Sequence, residues 1–342
     1  MNLEFLKSII NDIFLTDSPS GYYISINNVL GNILKNIGYS DFKITNKGSI
    51  ELFVEGIYKN KNIAIAAHDD TLGLMVRSIN GDGTLKITNV GGPLVPTLDG
   101  EYCKIITRSG AIYTGTILST SPSVHVYKDS ASKSRDIDNI IVRLDEKVSN
   151  RDDVLKLGIN NGDYVCYDTK TVITESGFLK SRFIDDKASV CIILAVLEYM
   201  KKNNIKPRCN IYCYFTNHEE VGHGAASINK SIEEFLAIDM GCVGLDLAGN
   251  EYAVSICAKD SSGPYNYELT NKLIDLAKNN DINHVIDIFP YYSSDVSAAL
   301  RAGIDCKGAL IGSGVCASHG MERTHFDGIF NTMKLLYLFL TK

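Results

Sequence analysis

The stretch Ile211-Tyr212-Cys213-Tyr214-Phe215-Thr216-Asn217-His218-Glu219-Glu220-Val221-Gly222-His223-Gly224 joins an apolar run to two adjacent carboxylates in a glycine-bearing segment. The length and composition of residues 211–215 predict a buried strand. Open α/β sheets place their chemistry outside the carboxyl ends of their strands, so Glu219 and Glu220 stand where a site would be. Two acids past a strand describe a solvated turn equally well. The rest of the chain decides between the two.

Similar arrangements recur. The apolar run 63–67 ends directly on His68-Asp69-Asp70-Thr71-Leu72-Gly73. Asp185 and Asp186 follow Arg182-Phe183-Ile184 at the head of a segment, 186–202, that is apolar nearly all round and predicts a buried helix. Residues 235–238 read as a strand ending on Asp239, and His319 lies past the last predicted strand, 305–311. Each has an ordinary explanation alone: a core histidine, a helix cap, a turn residue, a loop histidine. Together they alternate strand-end carboxylates with histidines, as a two-metal site demands. Such a site needs a bridging carboxylate, several terminal ligands and a free carboxylate to take a proton from water. The mixed imidazole and carboxylate set suits two divalent ions, zinc first, with cobalt or manganese as alternatives.

Working outward, residues 2–15 and 25–37 have helical apolar spacing, and 42–54 reads as two strands around the turn Asn46-Lys47-Gly48. From 74 to 174 helical periodicity fades, and short β-rich runs alternate with turns such as Asn80-Gly81-Asp82-Gly83 and Asn160-Asn161-Gly162-Asp163. Within it, 128–140 reads as an exposed loop. Later come strands at 209–215, 252–257 and 284–289, helices near 265–278 and after Ser294-Asp295, and a closing helix at 328–340. The expected fold is α/β: a three-layer α/β/α catalytic domain with a mixed sheet, residues 1–73 and 175–342, interrupted by a small barrel-like all-β domain, residues 74–174.

The bulk properties agree. A chain of 342 residues, 45% apolar and 22% charged, describes an ordinary globular protein with a large core. A net charge of −6 argues against a general nucleic-acid binder. No apolar run reaches the ~18 residues of a membrane-spanning helix, so no membrane partner is expected. Glu4 and Lys7 interrupt the apolar core a signal peptide needs, and the chain reads as cytoplasmic. Its nine cysteines form no C-x-x-C pair and read as reduced, mostly buried thiols, so any metal would be held by carboxylates and histidines.

The ordered set His68-x-Asp70-x-x-Gly73, Ile184-Asp185-Asp186, Glu219-Glu220-Val221-Gly222, Ile238-Asp239 and His319 resembles the motifs of the glutamyl-aminopeptidase and TET-type family of dinuclear metallo-aminopeptidases, some members of which are labelled endoglucanases. The turn Leu15-Thr16-Asp17-Ser18-Pro19-Ser20-Gly21 is similar too, and the resemblance spans essentially the whole chain. It implies that Asp185 bridges two metals, with His68 and Asp239 on one and Glu220 and His319 on the other. Glu219 is then the general base, taking a proton from water and returning it to the leaving amine. Asp70 orients His68. Short peptides are the implied substrates, and a homo-oligomer, from dimer to dodecamer, the implied assembly. Three positions depart from the pattern. Asp69 replaces an apolar residue, Ser293-Ser294-Asp295 replaces Gly-Thr-Asp, and His319-Gly320-Met321-Glu322-Arg323-Thr324-His325 replaces His followed by Ser or Thr and Pro. The last leaves His325 as an alternative ligand to His319.

Other functions compete. A carboxypeptidase or deacylase would keep the metals and change the substrate. A glycosidase needs two carboxylates about 5–10 Å apart and usually no metal, which would leave the histidines without a role. A peptide-binding protein with a dead site would not need the complete set of ligands and base.

Overall fold

The computed structural model describes residues 3–342. Met1 and Asn2, which entered the first predicted helix and the reading of the N-terminus, lie outside the described residues. The chain divides into two compact units, one comprising residues through Thr71 with Lys170–Lys342, the other Leu72–Thr169.

The first unit opens with α1 (Glu4–Phe14), α2 (Ile24–Asn36), β1 (Phe42–Ile44), β2 (Ile50–Val54) and β3 (Tyr58–His68). The second holds β4 (Gly73–Ile79), β5 (Leu85–Val90), β6 (Tyr102–Ile106), β7 (Ile112–Ser119), β8 (Ile140–Leu144), α3 (Arg151–Lys156) and β9 (Tyr164–Tyr167). The first unit then resumes with β10 (Val172–Ile173), β11 (Phe178–Ser181), α4 (Ile184–Lys202), β12 (Cys209–Thr216), β13 (Glu234–Cys242), β14 (Val254–Asp260) and β15 (Gly263–Pro264). It finishes with α5 (Tyr267–Lys278), β16 (His284–Ile288), α6 (Asp295–Arg301), β17 (Lys307–Val315), β18 (Glu322–His325) and α7 (Phe326–Thr341).

A nine-stranded mixed sheet in the order β1-β2-β12-β3-β13-β17-β14-β15, with β16 also on β14, forms the middle layer of the first unit. Strands β12, β3, β13 and β17 are mutually parallel, which explains their unbroken apolar runs: a parallel sheet is covered on both faces. On one face α1, α2, α4, α5 and α7 contribute to a single apolar core with Ile65, Phe215 and Ile311 of the strands. The other face, with Ala64, Tyr214, Phe235 and Leu310, packs against Val296 and Ala299 of α6 and against Ala225, Ile228 and Ile232. Helix α4 is buried nearly all round, as its composition predicts.

Because four central strands run the same way, His68, Thr216, Asp239 and Val315 all lie toward one edge of the sheet, with Thr216 opposite His68 in the register. The predicted strand ending on Asp239 is corrected here: β13 continues to Cys242 and Asp239 lies within it, opposite Gly312. Pairing of β13 with β3 stops at Ala237–Ala66, while pairing with β17 persists to Cys242–Val315. The sheet therefore parts between β3 and β13 at its carboxyl edge. Asp239 stands on one lip of that gap and His68 on the other. Strand β17 also outruns its prediction, because Gly312-Ser313-Gly314 interrupts the apolar signal but not the ladder.

Not predicted were the short helix α3, the two-residue strand β15 and the small antiparallel sheet β10-β11-β18. In the second unit, β4-β5-β8-β7-β6-β9 close into a barrel, filled by residues such as Leu74, Ile87, Ile105, Ile117, Val142 and Val165. Residues 128–140 form a loop up to the start of β8, held by Arg135, which donates to Asp99 at 3.0 Å and to the carbonyls of Ser130 and Lys133. All nine cysteines are free thiols.

Candidate active site

His68 is buried at the end of β3. Its Nδ1 lies 2.9 Å from the Asp70 carbonyl oxygen, an acceptor only, so Nδ1–H is the donor there. Nε2 is left facing Asp185 Oδ1 at 3.1 Å and Glu219 Oε2 at 3.8 Å. The Asp70 carboxylate, expected to orient this ring, lies 3.6 Å from Nδ1. It is occupied elsewhere, accepting from the backbone N–H of Glu219 at 3.1 Å, from that of Glu220 at 3.4 Å and from the Ser20 hydroxyl. Asp70 thus holds the ring through its carbonyl and the Glu219-Glu220 turn through its side chain.

Asp185 and Asp186 lie ahead of the regular turns of α4, with non-helical dihedrals, and both are buried. Asp185 reaches His68 with Oδ1 and stands 3.6 Å from His319 Nε2 with Oδ2. His319 Nε2 is also 3.6 Å from Glu220 Oε2. Asp186 accepts from the His68 backbone N–H at 3.1 Å. Ligand atoms of His68, Asp186 and Asp239 lie within 4.8 Å of one another, as do those of His68, Asp185 and Glu220. His325 is outside this cluster. It caps α7, accepting from the Asp327 N–H at 3.1 Å, while its Nε2 meets the Ser176 carbonyl at 2.9 Å.

Several residues brace the cluster. Asp69, the unexpected acid, accepts from Asn217 Nδ2 at 3.1 Å, and Asn217 in turn accepts from the N–H of Gly21 at 2.9 Å, tying the early turn to the end of β12. Asp295 accepts from the Thr216 hydroxyl and from the Ala225 N–H at 2.7 Å, closing both ends of the segment that carries Glu219 and Glu220. Glu322 is a residue the sequence did not single out. It is buried and accepts from the N–H of His319 at 2.9 Å and of Asp185 at 3.1 Å. Only its place three residues after His319 could have suggested it. Its contacts depend on β18 pairing with β11, Glu322 opposite Ser181.

Non-glycine residues with left-handed backbone concentrate here: Phe183 (φ 63°), His218 (φ 78°), Ala317 (φ 58°) and His319 (φ 63°). Each conformation costs of order 1–3 kcal/mol and persists where surrounding contacts determine it. All four stand at or within two residues of Asp185, Glu219 or His319.

The electrostatics reflect acids held close together. Burial, followed by neighbouring charge, pushes Glu219, Glu220 and Asp186 well above the ordinary carboxylate range, and raises Asp239 to about 7. For His68 burial alone would lower the pKa. The Asp185 contact and the charges of Glu219, Asp186 and Asp239 outweigh it, so the imidazole is raised well above its usual value. Buried oxygens of Asp186 (Oδ1) and Glu220 (Oε1) have no hydrogen-bond partner among the described residues. Orphaned acceptors, a deprotonatable imidazole nitrogen and clustered carboxylates are what hard or borderline divalent cations require. The site opens into a cleft of about 290 Å³ lined by Asp185, Glu219, Glu220 and Asp239 together with Gly222, Tyr292 and His319.

A mixed-sheet α/β unit with a barrel insertion is a fold shared with solved TET aminopeptidase structures. A structure from the archaeon Thaumarchaeota archaeon SCGC AB-539-E09, described as a TET aminopeptidase, superposes with a TM-score of 0.88 at 18% identity, covering 98% of this chain and 97% of that one. The TET1 peptidase of Pyrococcus horikoshii, described as able to assemble into a tetrahedron or a large octahedral shell, gives 0.86 at 20% identity, covering 98% and 99%. The chain belongs to the M42 glutamyl aminopeptidase family, whose model matches residues 48–335. A Bacillus subtilis (strain 168) protein, YhfE, provisionally named an aminopeptidase, is 42% identical over 339 residues, 99% of this chain and 96% of its own.

Proposed function

We propose that this chain is a two-metal aminopeptidase that removes N-terminal residues from short peptides, with Glu219 as general base. The observation that carries it is a division between neighbours. Glu220 joins His68 and Asp185 in one candidate ligand group; Glu219, 3.8 Å from His68, stands outside both groups, as does His319, whose Nε2 is 3.6 Å from both Asp185 and Glu220. Asp185 faces His68 with one oxygen and His319 with the other, which suits a bridging ligand. His68 and Asp239 would complete one ion site, Glu220 and His319 the other. Zinc is the leading candidate, with cobalt or manganese as alternatives. Bound there, the ions would make water a stronger nucleophile at neutral pH and polarise a carbonyl. Glu219 takes the proton from the attacking water and returns it to the amine that leaves. A free α-amine held at one of the ions would restrict cleavage to the N-terminal residue.

The assembly proposed is a homo-oligomer, with the unit Leu72–Thr169 forming contacts between copies or limiting substrate access. A cytoplasmic location is proposed with it. No helix of the described residues is long and apolar enough to cross a membrane.

The test is Glu219→Gln, assayed on an aminoacyl-anilide panel alongside metal analysis. Metal content should match the parent while turnover falls at least 10²-fold, the range expected for losing a positioned general base. Turnover within threefold of the parent would remove Glu219 from the chemistry. Parent activity unchanged by complete chelation would overturn the metal-dependent reading.

A further inference from the structure

Tyr292 lies in the segment between β16 and α6, and its side chain lines the acid-rich cleft. Its hydroxyl oxygen is buried and has no hydrogen-bond partner among the described residues. The phenol nonetheless faces Asp239, near it but short of a formed hydrogen bond. A phenol, with an ordinary pKa of about 10, keeps its proton at neutral pH. The residue is held from two sides. Its carbonyl accepts from the Ser261 N–H at 3.0 Å and the Ser261 hydroxyl at 2.5 Å, and its ring packs edge-on against Phe289 with centroids 5.2 Å apart.

A buried hydroxyl that makes no hydrogen bond is unfavourable, and one fixed in a cleft is suited to a ligand atom that completes it. The chemistry of the cleft selects that atom. Asp185, Glu219, Glu220 and Asp239, once ionised, can only accept. They already suffice for the cationic end of a peptide, and a donor there would be redundant. A carbonyl oxygen gaining negative charge needs a donor already in place. We propose that the Tyr292 hydroxyl donates to the oxygen of the scissile carbonyl as negative charge develops on it, making Tyr292 a catalytic residue. This rests on the amide-hydrolase reading above.

The test compares the full-length, metal-loaded protein with Tyr292→Phe, which keeps the ring on Phe289 and removes one oxygen. Metal content and melting temperature should stay at the parent's values. On an aminoacyl-anilide, kcat should fall 10²- to 10³-fold with KM within threefold, the loss typical of a single oxyanion donor. Calorimetric binding of an α-aminoalkylphosphonic acid, whose anionic tetrahedral group imitates the attacked carbonyl, should weaken by at least 10-fold. Binding of the corresponding amino alcohol, which keeps the amine and lacks that anion, should not change. Unchanged kcat in an active parent overturns the proposal and leaves the aminopeptidase reading intact. Equal weakening of both ligands also overturns it, because Tyr292 would then only shape the cleft. If the parent hydrolyses no anilide yet Tyr292→Phe selectively loses the phosphonate, the aminopeptidase reading fails and Tyr292 stands as an anion donor.

Discussion

Glu322 shows how much at the residue scale depends on backbone held by side chains. One carboxylate receives the N–H groups of His319 and Asp185, the two residues that face each other across the cluster. Glu322→Gln would turn one acceptor oxygen into a donor against an N–H. Leaving a buried pair unmatched costs about 1–3 kcal/mol. The expected outcome is a lower urea midpoint together with weaker metal retention on dialysis. A variant that loses stability but keeps its metal would show that Glu322 serves folding alone. The carboxyls themselves predict a pH dependence. A native pKa raised above the unfolded value destabilises the metal-free fold progressively as pH rises between the two. For Asp239 that window runs from roughly 4, the unperturbed value, to about 7. Below it both states hold the proton and the penalty vanishes. Cations bind the deprotonated carboxylates, so the difference in melting temperature between metal-loaded and chelated protein should widen from pH 5.5 to 7.5. A constant or narrowing difference would contradict the clustered-acid account.

The decisive event at the element scale is the parting of β3 from β13. Asp239 was visible as an acid beside an apolar run, but its place within a strand was not. The run Phe235-Leu236-Ala237-Ile238 simply ends there in polarity, and no local pattern reveals that β13 continues on β17 after losing β3. Gly312 makes that continuation possible. A Cβ at this position would meet the Asp239 carbonyl and the following backbone, which cannot rotate away. Gly312→Ala should therefore cost about 1–3 kcal/mol or more by overpacking and displace Asp239, measured as a lower denaturation midpoint with reduced metal content. Wild-type stability in this variant would show that β17 can withdraw without consequence. The unpredicted strand β18 is four residues, Glu-Arg-Thr-His, without an apolar alternation to announce it. It is a strand because β11 is available to pair with it, and that pairing returns the His319 loop to Asp185.

At the scale of the whole molecule, the two-unit organisation raises the question of assembly. Exposed apolar side chains occur in both units, among them Tyr102 and Ile112 on the barrel and Tyr267 and Ile288 on the α/β unit, and scattered exposure of this kind does not by itself define an interface. The TET1 peptidase with which the fold is shared is described as able to assemble into a tetrahedron or a large octahedral shell. For this chain a particle larger than a monomer is expected by light scattering on size-exclusion chromatography, and a monomer at micromolar concentration would count against the proposed homo-oligomer. The α/β class and the β interruption were both readable from the chain, since each rests on periodicity and composition over tens of residues. Which faces the helices cover was readable only for α4, whose apolar surface extends nearly all round.

By itself, the sequence determined the chemical inventory: His68, Asp185, Glu219, Glu220, Asp239 and His319, each near a strand end or helix start, because apolar runs mark buried strands and acids rarely follow them so regularly by chance. It left His319 and His325 in competition, since neighbours in sequence share composition but not surroundings. Tertiary structure separated them. Parallel strands carry distant strand ends to one edge, the gap beside β13 brings Asp239 toward His68, and β18 turns His319 inward while leaving His325 to cap α7. Those outcomes depend on pairing between segments more than a hundred residues apart, and no local pattern encodes such pairing.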